Sequence, residues 1–263
     1  MALRRAKMLL HLVRALSITI HPDEIIVGNR SVLPRMGVIA PEGAVEWIDQ
    51  ELESLPTRPQ DRFQIYPDQI QELREDIFPY WRGKTLEDIV AGRIPPDVKQ
   101  AVQGKAFSLN QTDHAQGHIL PDVEAWLRLG VSGLRNAVLA ARGRPQVQTE
   151  EGQAFYDATM LALQAAQEFM QRYAHLARQM ADQVENPARQ AELTRIADVC
   201  DWICHDPARD FWEAIQAVWF LFVLLQIESN ASSFSPGRFD QYMLPYLERD
   251  LASGWLTLSE AQE

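Results

Sequence analysis

Three groups of residues in this chain have the types and spacing to do chemistry. The first is the polar run AFSLNQTDHAQGHILPD at 106–122, which carries Asn110, Asp113, His114, His118 and Asp122. Imidazole and carboxamide side chains in one loop can polarise a hydroxylated ligand, and His114, His118 and Asp122 together could hold a hydrolytic metal. Two imidazoles spaced HxxxH share a face only in a helix, and Gly117 and Pro121 argue against one here. Two readings stay open: a loop that points Asn110 and His118 into a cavity, and a surface loop whose side chains cap the backbone.

The second group is SNASSFSPGRFDQY at 229–242, directly after the apolar run AVWFLFVLLQ. A buried helix that ends in Ser229, Asn230, Ser232, Ser233 and Ser235 delivers polar groups to the interior. They need either local turns or a bound polar ligand to satisfy them. Arg238 and Asp240 are spaced to pair and pin the turn. The third group, Cys200 and Cys204 beside His205, lies on a helix, and no second Cys or His pair has zinc spacing. Cys200 falls on an apolar stripe, so the thiols read as buried structural groups, and no metal is assigned. No GxGxxG, P-loop, GxSxG or HExxH occurs.

The elements that must position these residues are mainly α. Met8, Leu9, Leu12, Val13 and Leu16 recur at helical spacing before SITI and His21-Pro22 stop the helix. EIIVGN at 24–29 predicts one short strand. Residues 30–65 are punctuated by prolines around one helix at 43–54 and predict a strap that wraps over a surface. Two or three short helices follow at 66–105, then a helix at 123–142. Ala162, Ala166, Phe169, Tyr173, Leu176 and Met180 line one face of a long helix. Asn186-Pro187 supplies a cap and a first-turn proline for the next helix, striped by Leu193, Ile196, Cys200 and Ile203. Asp210 and Glu213 resemble a capping box for a greasy helix at 211–227.

Composition narrows the function classes. A chain of 263 residues with 46% hydrophobic and 23% charged residues has globular statistics. Its formal net charge of -11 would repel a phosphate backbone, so nucleic acid is not expected as a partner. Two cysteines make no disulfide framework, and the N-terminal residues lack a signal-peptide pattern, which predicts a cytoplasmic protein. The apolar run 217–225 is shorter than the roughly 20 residues that span a bilayer, so no membrane segment is expected.

Taken in order, RRAKMLLHLV, DEIIVGN, LPTRPQDRF, YWRGKTLED, QGHILPD, RYAHLA, IADVC, DFWEAIQAVWF and QIESNASSFSPGRFDQYMLPY resemble the N-terminal part of the glycyl radical enzymes. The branch is the pyruvate formate-lyase-like and glycerol-dehydratase-like one, and the resemblance runs from about Arg4 to Gln262. It implies the N-terminal part of a ten-stranded α/β barrel. Residues 1–65 would supply a helix and the strap, and 66–263 the outer helices and one wall of a cavity. It also implies a radical stored on a glycine, passed to a cysteine, and used on a small hydroxylated or oxo substrate. A radical S-adenosylmethionine activase would install that radical, and a homodimer is implied.

The departures are specific. The family's thiyl cysteine loop and radical-glycine motif match nothing here: Cys200 corresponds to a helical position, and none of the 13 glycines has the radical-loop context. The resemblance therefore implies a chain cut at both ends and inactive alone, binding no cofactor itself. Matched position by position, substrate ligands fall at Asn110 and His118, and at Ser232 and Ser233, with His118 the candidate acid or base. The family pattern has His-Ser where this chain has Ser-Ser. An imidazole exchanges protons near neutral pH and a serine only hydrogen-bonds without further help, so glycerol is not specified as the substrate. The rival class is a non-catalytic helical binding or scaffold module, for which an exposed apolar face around 217–225 would be the sign.

Overall fold

Apolar residues recurring every three or four positions set the architecture, and in the structure, a computed structural model, helices are the regular elements found among the described residues. It describes residues 2–33, 37–60, 62–109, 118–144, 148–229 and 233–263. The chain divides into two units: Met1–Pro34, His118–Ser229 and Ser233–Glu263 form one, and Arg35–Gly117 with Asn230–Ser232 the other.

The first unit is organised by α8, Glu150–Ala181, which runs 32 residues as the heptad-like stripe requires. Thr149 starts it by accepting the Gly152 amide at 3.0 Å. Phe169, Met170 and Tyr173 are fully buried along it. Phe169, Tyr173 and Phe220 form a ring triangle with centroids 5.2 to 5.8 Å apart. Burying each such ring contributes about 2–3 kcal/mol. Against α8 pack α1 (Ala2–Ala15), α7 (Val123–Arg142) and α9 (Pro187–Ile203). Asn186 caps α9 through the Ala188 amide at 2.9 Å, and Leu193, Ile196, Cys200 and Ile203 are buried as their spacing predicts. Helix α7 is broken where none was expected, because Gly130 has φ 59° and ψ -177°. A Cβ there would stand 2.5 Å from the Asp206 carbonyl carbon, so the close approach of the chain after α9 demands glycine.

Helix α10, Phe211–Ser229, has the length and composition of a membrane span. Its buried face nonetheless includes Glu213 and Gln216. It also packs on α1, α7, α8, α9 and the following α11, Phe239–Ser253. Polar groups satisfied inside the protein mark it as a core helix. The 217–225 stretch is accordingly not an open apolar face: Ala217, Val218, Phe220, Val223 and Leu224 are buried, and Trp219 is its exposed member. Helix α12, Leu258–Gln262, follows a left-handed Gly254 and is capped by Thr257.

The strand expected at 24–29 does not form, and no strand occurs among the described residues. The Gln216 carboxamide takes the place of a ladder partner, accepting from the Val27 amide at 2.8 Å and donating to its carbonyl at 2.7 Å. Trp212 and Trp219 indoles donate to the Ile25 and Gly28 carbonyls at 3.2 and 2.7 Å. The Asn29 amide donates to the Tyr173 hydroxyl at 3.0 Å. Burial pushes that phenol up to about 12. Val27 is buried and Ile25 and Ile26 are half-buried, but side chains on two helices, α8 and α10, answer the backbone in place of a neighbouring strand.

In the second unit, α2 (Glu46–Glu51) and a 3₁₀ turn at Leu52–Ser54 meet α3 (Pro67–Glu72), a π-helical turn at Leu73–Ile77 and α4 (Phe78–Trp81). The segment expected as a strap thus contributes Val45, Ile48, Leu52, Leu55 and Ile65 to a core shared with Leu73 and Phe78. Arg74 bridges Asp49 and Glu53 at 2.6 Å each. Helices α5 (Leu86–Arg93) and α6 (Pro96–Gln103) complete the unit, and a Thr85–Asp88 capping box opens α5.

Candidate functional site

Four substrate-contacting positions were expected from the sequence. His118 and Ser233 fall within the described residues, while Asn110 and Ser232 lie outside them, as do Asp113 and His114. His118 and Ser233 are 115 positions apart in the chain, yet the His118 amide donates to the Ser233 carbonyl at 3.0 Å. One step further along, the Ser235 amide donates to the Ile119 carbonyl, also at 3.0 Å. Both segments are exposed, so the imidazole and the hydroxyl stand on an open face.

The backbone at this clasp is unusual. His118 has φ 57° and Ser233 has φ 61°, and only one other non-glycine residue, Lys105, has positive φ among the described residues. A left-handed residue with a side chain costs about 1–2 kcal/mol, so two in direct contact are held by their surroundings. Ser235 accepts the Gly237 amide at 3.2 Å, closing a turn over Pro236. From α11 the Tyr242 hydroxyl donates to the Pro236 carbonyl at 2.8 Å, and burial raises this phenol above its ordinary value. Arg238 and Asp240 do pair, at 3.2 Å, and the guanidinium holds the Asp240 carboxyl below its ordinary value. Both side chains are about 70% exposed, so the pair is a weak brace beside the Tyr242 contact. Spacing pointed to Arg238 and Asp240. Tyr242 gave no such signal, since an aromatic four residues into a helix reads as packing.

At the start of α7 the Asp122 carboxylate accepts the Ala125 amide at 3.0 Å, a helix cap. Among the described residues no three His, Cys, Asp or Glu side chains are grouped to hold a metal ion. Cys200 and Cys204 are free, buried thiols. Burial, the dominant influence, pushes Cys204 up to about 12 and Cys200 higher still, which leaves neither as a thiolate near neutral pH. At the other end of α10, Ser229 returns its hydroxyl to the Leu225 carbonyl at 3.2 Å, so part of the serine cluster does close the helix locally.

The pyruvate formate lyase-like family model matches residues 1–263. The chain belongs to that family. Members similar to it include glycyl radical enzymes. The probable dehydratase YbiW of Escherichia coli strain K12 is 35% identical over 252 residues, covering 94% of this chain and 31% of the relative. A structure describing 1,2-propanediol dehydration in Roseburia inulinivorans superposes with a TM-score of 0.92 at 34% identity, over 100% of this chain and 32% of that one. A glycyl radical enzyme from Archaeoglobus fulgidus gives a TM-score of 0.87 at 30% identity, over 98% and 34%. The chain therefore spans about a third of the length of the family members it matches.

Proposed function

We propose that this chain forms the N-terminal portion of a glycyl radical dehydratase or lyase and supplies one wall of its cavity, with a small vicinal diol or similar hydroxylated compound as substrate. Two of the similar proteins are described by dehydration, one of them of 1,2-propanediol. The observation that carries the reading is the clasp that joins His118 to Ser233 on an exposed face. It unites the two polar segments that have the chemistry to hold a hydroxylated molecule.

A glycyl radical and its relay cysteine, installed with the help of a radical S-adenosylmethionine activase, would supply hydrogen abstraction from parts of the protein outside this chain. The residues here bind, orient and move a proton. The Ser233 hydroxyl orients a substrate hydroxyl by a hydrogen bond, the role that the family resemblance also assigns to Asn110 and Ser232. Orientation of this kind removes several kcal/mol from a barrier when reacting groups are held in register. His118, protonated, gives its proton to the departing hydroxyl, which leaves as water. A histidine can be recharged near neutral pH, and Ser233 cannot replace it in that role.

The test is the His118→Ala variant of the full-length protein, activated anaerobically and supplied with 1,2-propanediol, with aldehyde formation and the glycyl radical resonance both recorded. Turnover is expected to fall about 10²- to 10⁴-fold with the radical signal intact. A variant that dehydrates the diol as fast as the parent would overturn the assignment of His118.

A further inference from the structure

Helix α10 differs from its neighbours in what it turns away from the core. A helix at a protein surface carries charged groups on its outer side. Accordingly α1 exposes Arg4, Lys7 and Arg14, and α9 exposes Asp198 and Asp201. α10 has two charged residues, Glu213 and Glu228. Glu213 is buried against Arg209, and Glu228 turns to α1, where it pairs with Arg5 at 2.6 Å. The outer flank is formed instead by Ile215, Trp219, Phe222 and Gln226, which step by 4, 3 and 4, with Leu225 at its edge. Trp219 is 43% exposed and the other four are half-buried, so this flank is covered only in part. The Trp219 indole is held by its 2.7 Å bond to the Gly28 carbonyl, which fixes its open edge in place.

We infer that the outer flank of α10 is an internal docking surface, covered in the full-length protein by polypeptide of the same molecule outside residues 1–263. This rests on the reading of the chain as one portion of a longer glycyl radical protein, and not on the substrate. The family members that superpose on the chain are about three times as long, so about two thirds of such a polypeptide has to pack against the remaining third. An uncharged stripe of Trp, Phe, Leu and Ile with a single carboxamide has the composition of a permanent interface core, whereas partners that come and go meet more polar surface. Left in water, the same stripe is an aggregation liability. α10 ends at Ser229, shortly before Ser233, so a body seated on the flank lies beside the segment that leads into the clasp.

The experiment uses the full-length protein with the photoreactive substitution Trp219→p-benzoylphenylalanine or Phe222→p-benzoylphenylalanine, irradiated and mapped by mass spectrometry. Cross-links within one chain to peptides outside residues 1–263 are expected from both positions. A product of doubled mass puts a second copy on the flank, and no cross-link, or cross-links confined to residues 1–263, leaves it uncovered by the rest of the chain; each of these overturns the inference. Hydroxyl-radical footprinting of the unsubstituted protein reads the same surface where a variant does not fold. Trp219 should then be modified about tenfold more slowly than in a digest of the same protein, as full burial in an interface core implies. Modification at the rate of an open side chain, or protection lost on dilution to the monomer, overturns the docking. Anaerobic activation and a 1,2-propanediol assay on the unsubstituted preparation separate the two readings. Protein that makes aldehyde without the expected cross-links or protection overturns the docking alone. Protein that shows them without dehydrating the diol upholds the docking and overturns the substrate reading.

Discussion

Arg209 closes its guanidinium on the carboxylate of Glu213, with Nη2 2.6 Å from Oε1, and Glu213 is completely buried while half of the Arg209 side chain remains in solvent. The Arg209 amide also donates to Glu213, at 2.6 Å, and the guanidinium lies over the Trp202 ring at 3.7 Å. This is the capping arrangement expected for Asp210 and Glu213, moved by one residue. Asp210 accepts the Glu213 amide at 2.8 Å, but the Glu213 carboxylate reaches back to Arg209 rather than to Asp210.

Removing the guanidinium strands a buried carboxylate with only backbone support. Arg209→Ala should therefore cost about 2–3 kcal/mol, below the upper range for buried pairs because Arg209 is half exposed. Arg209→Lys should recover part of the charge but lose the forked geometry and the stacking. The urea unfolding midpoint of each variant measures both effects.

Gln216→Leu is expected to be more damaging than its volume suggests. The substitution keeps the side chain of similar size but removes its donor and acceptor, which orphans the Val27 amide and carbonyl at a cost of about 2–4 kcal/mol. Urea titration against Gln216→Glu, which restores only an acceptor, discriminates between the two lost bonds.

The thiols give a pH dependence with a definite sign. Cys204 rises from an ordinary 9.0 to about 12 in the fold, so the folded state binds the proton more tightly than the unfolded state. The stabilisation is complete below the unfolded pKa and is lost as pH climbs toward the folded value. Stability should therefore fall above about pH 8.5, by up to about 1.4 kcal/mol per pH unit for each buried thiol. Denaturant midpoints between pH 7 and pH 10 should show the decline, and Cys200→Ala should flatten it. Iodoacetamide should leave both cysteines of the native protein unlabelled.

Gly130→Ala is expected to cost more than the left-handed penalty of about 1–2 kcal/mol, because the added methyl meets backbone rather than a movable side chain. Thermal midpoints of Gly130→Ala and Gly254→Ala, compared directly, measure the excess.

The helices were legible where burial alone dictates pattern. The stripe from Ala162 to Met180 and the stripe from Leu193 to Ile203 are one-sided, so period and packing agree. Asn186-Pro187 announced its cap for the same local reason. The strand reading of EIIVGN failed because apolar β-branched residues report burial, whereas a ladder requires a partner strand, and Gln216, Trp212 and Trp219 replaced it from distant positions. The break in α7 was hidden because it depends on the chain at Asp206 passing close by. Family pattern placed His118 and Ser233 together. Composition and spacing did not, since the 3.0 Å bond between them depends on how α7 and α10 pack.

The way EIIVGN is held has a consequence for failure. Six residues rich in isoleucine and valine, without charge in their centre, are the kind of run that recruits other chains into cross-β stacks once its main chain is vacant. Here Val27, Gly28 and Asn29 are occupied by Gln216, Trp219 and Tyr173, so no zipper can start while those helices stay docked. Damage to any of these anchors therefore uncovers a sticky hexapeptide along with a weakened core, and such variants should precipitate on heating rather than melt reversibly.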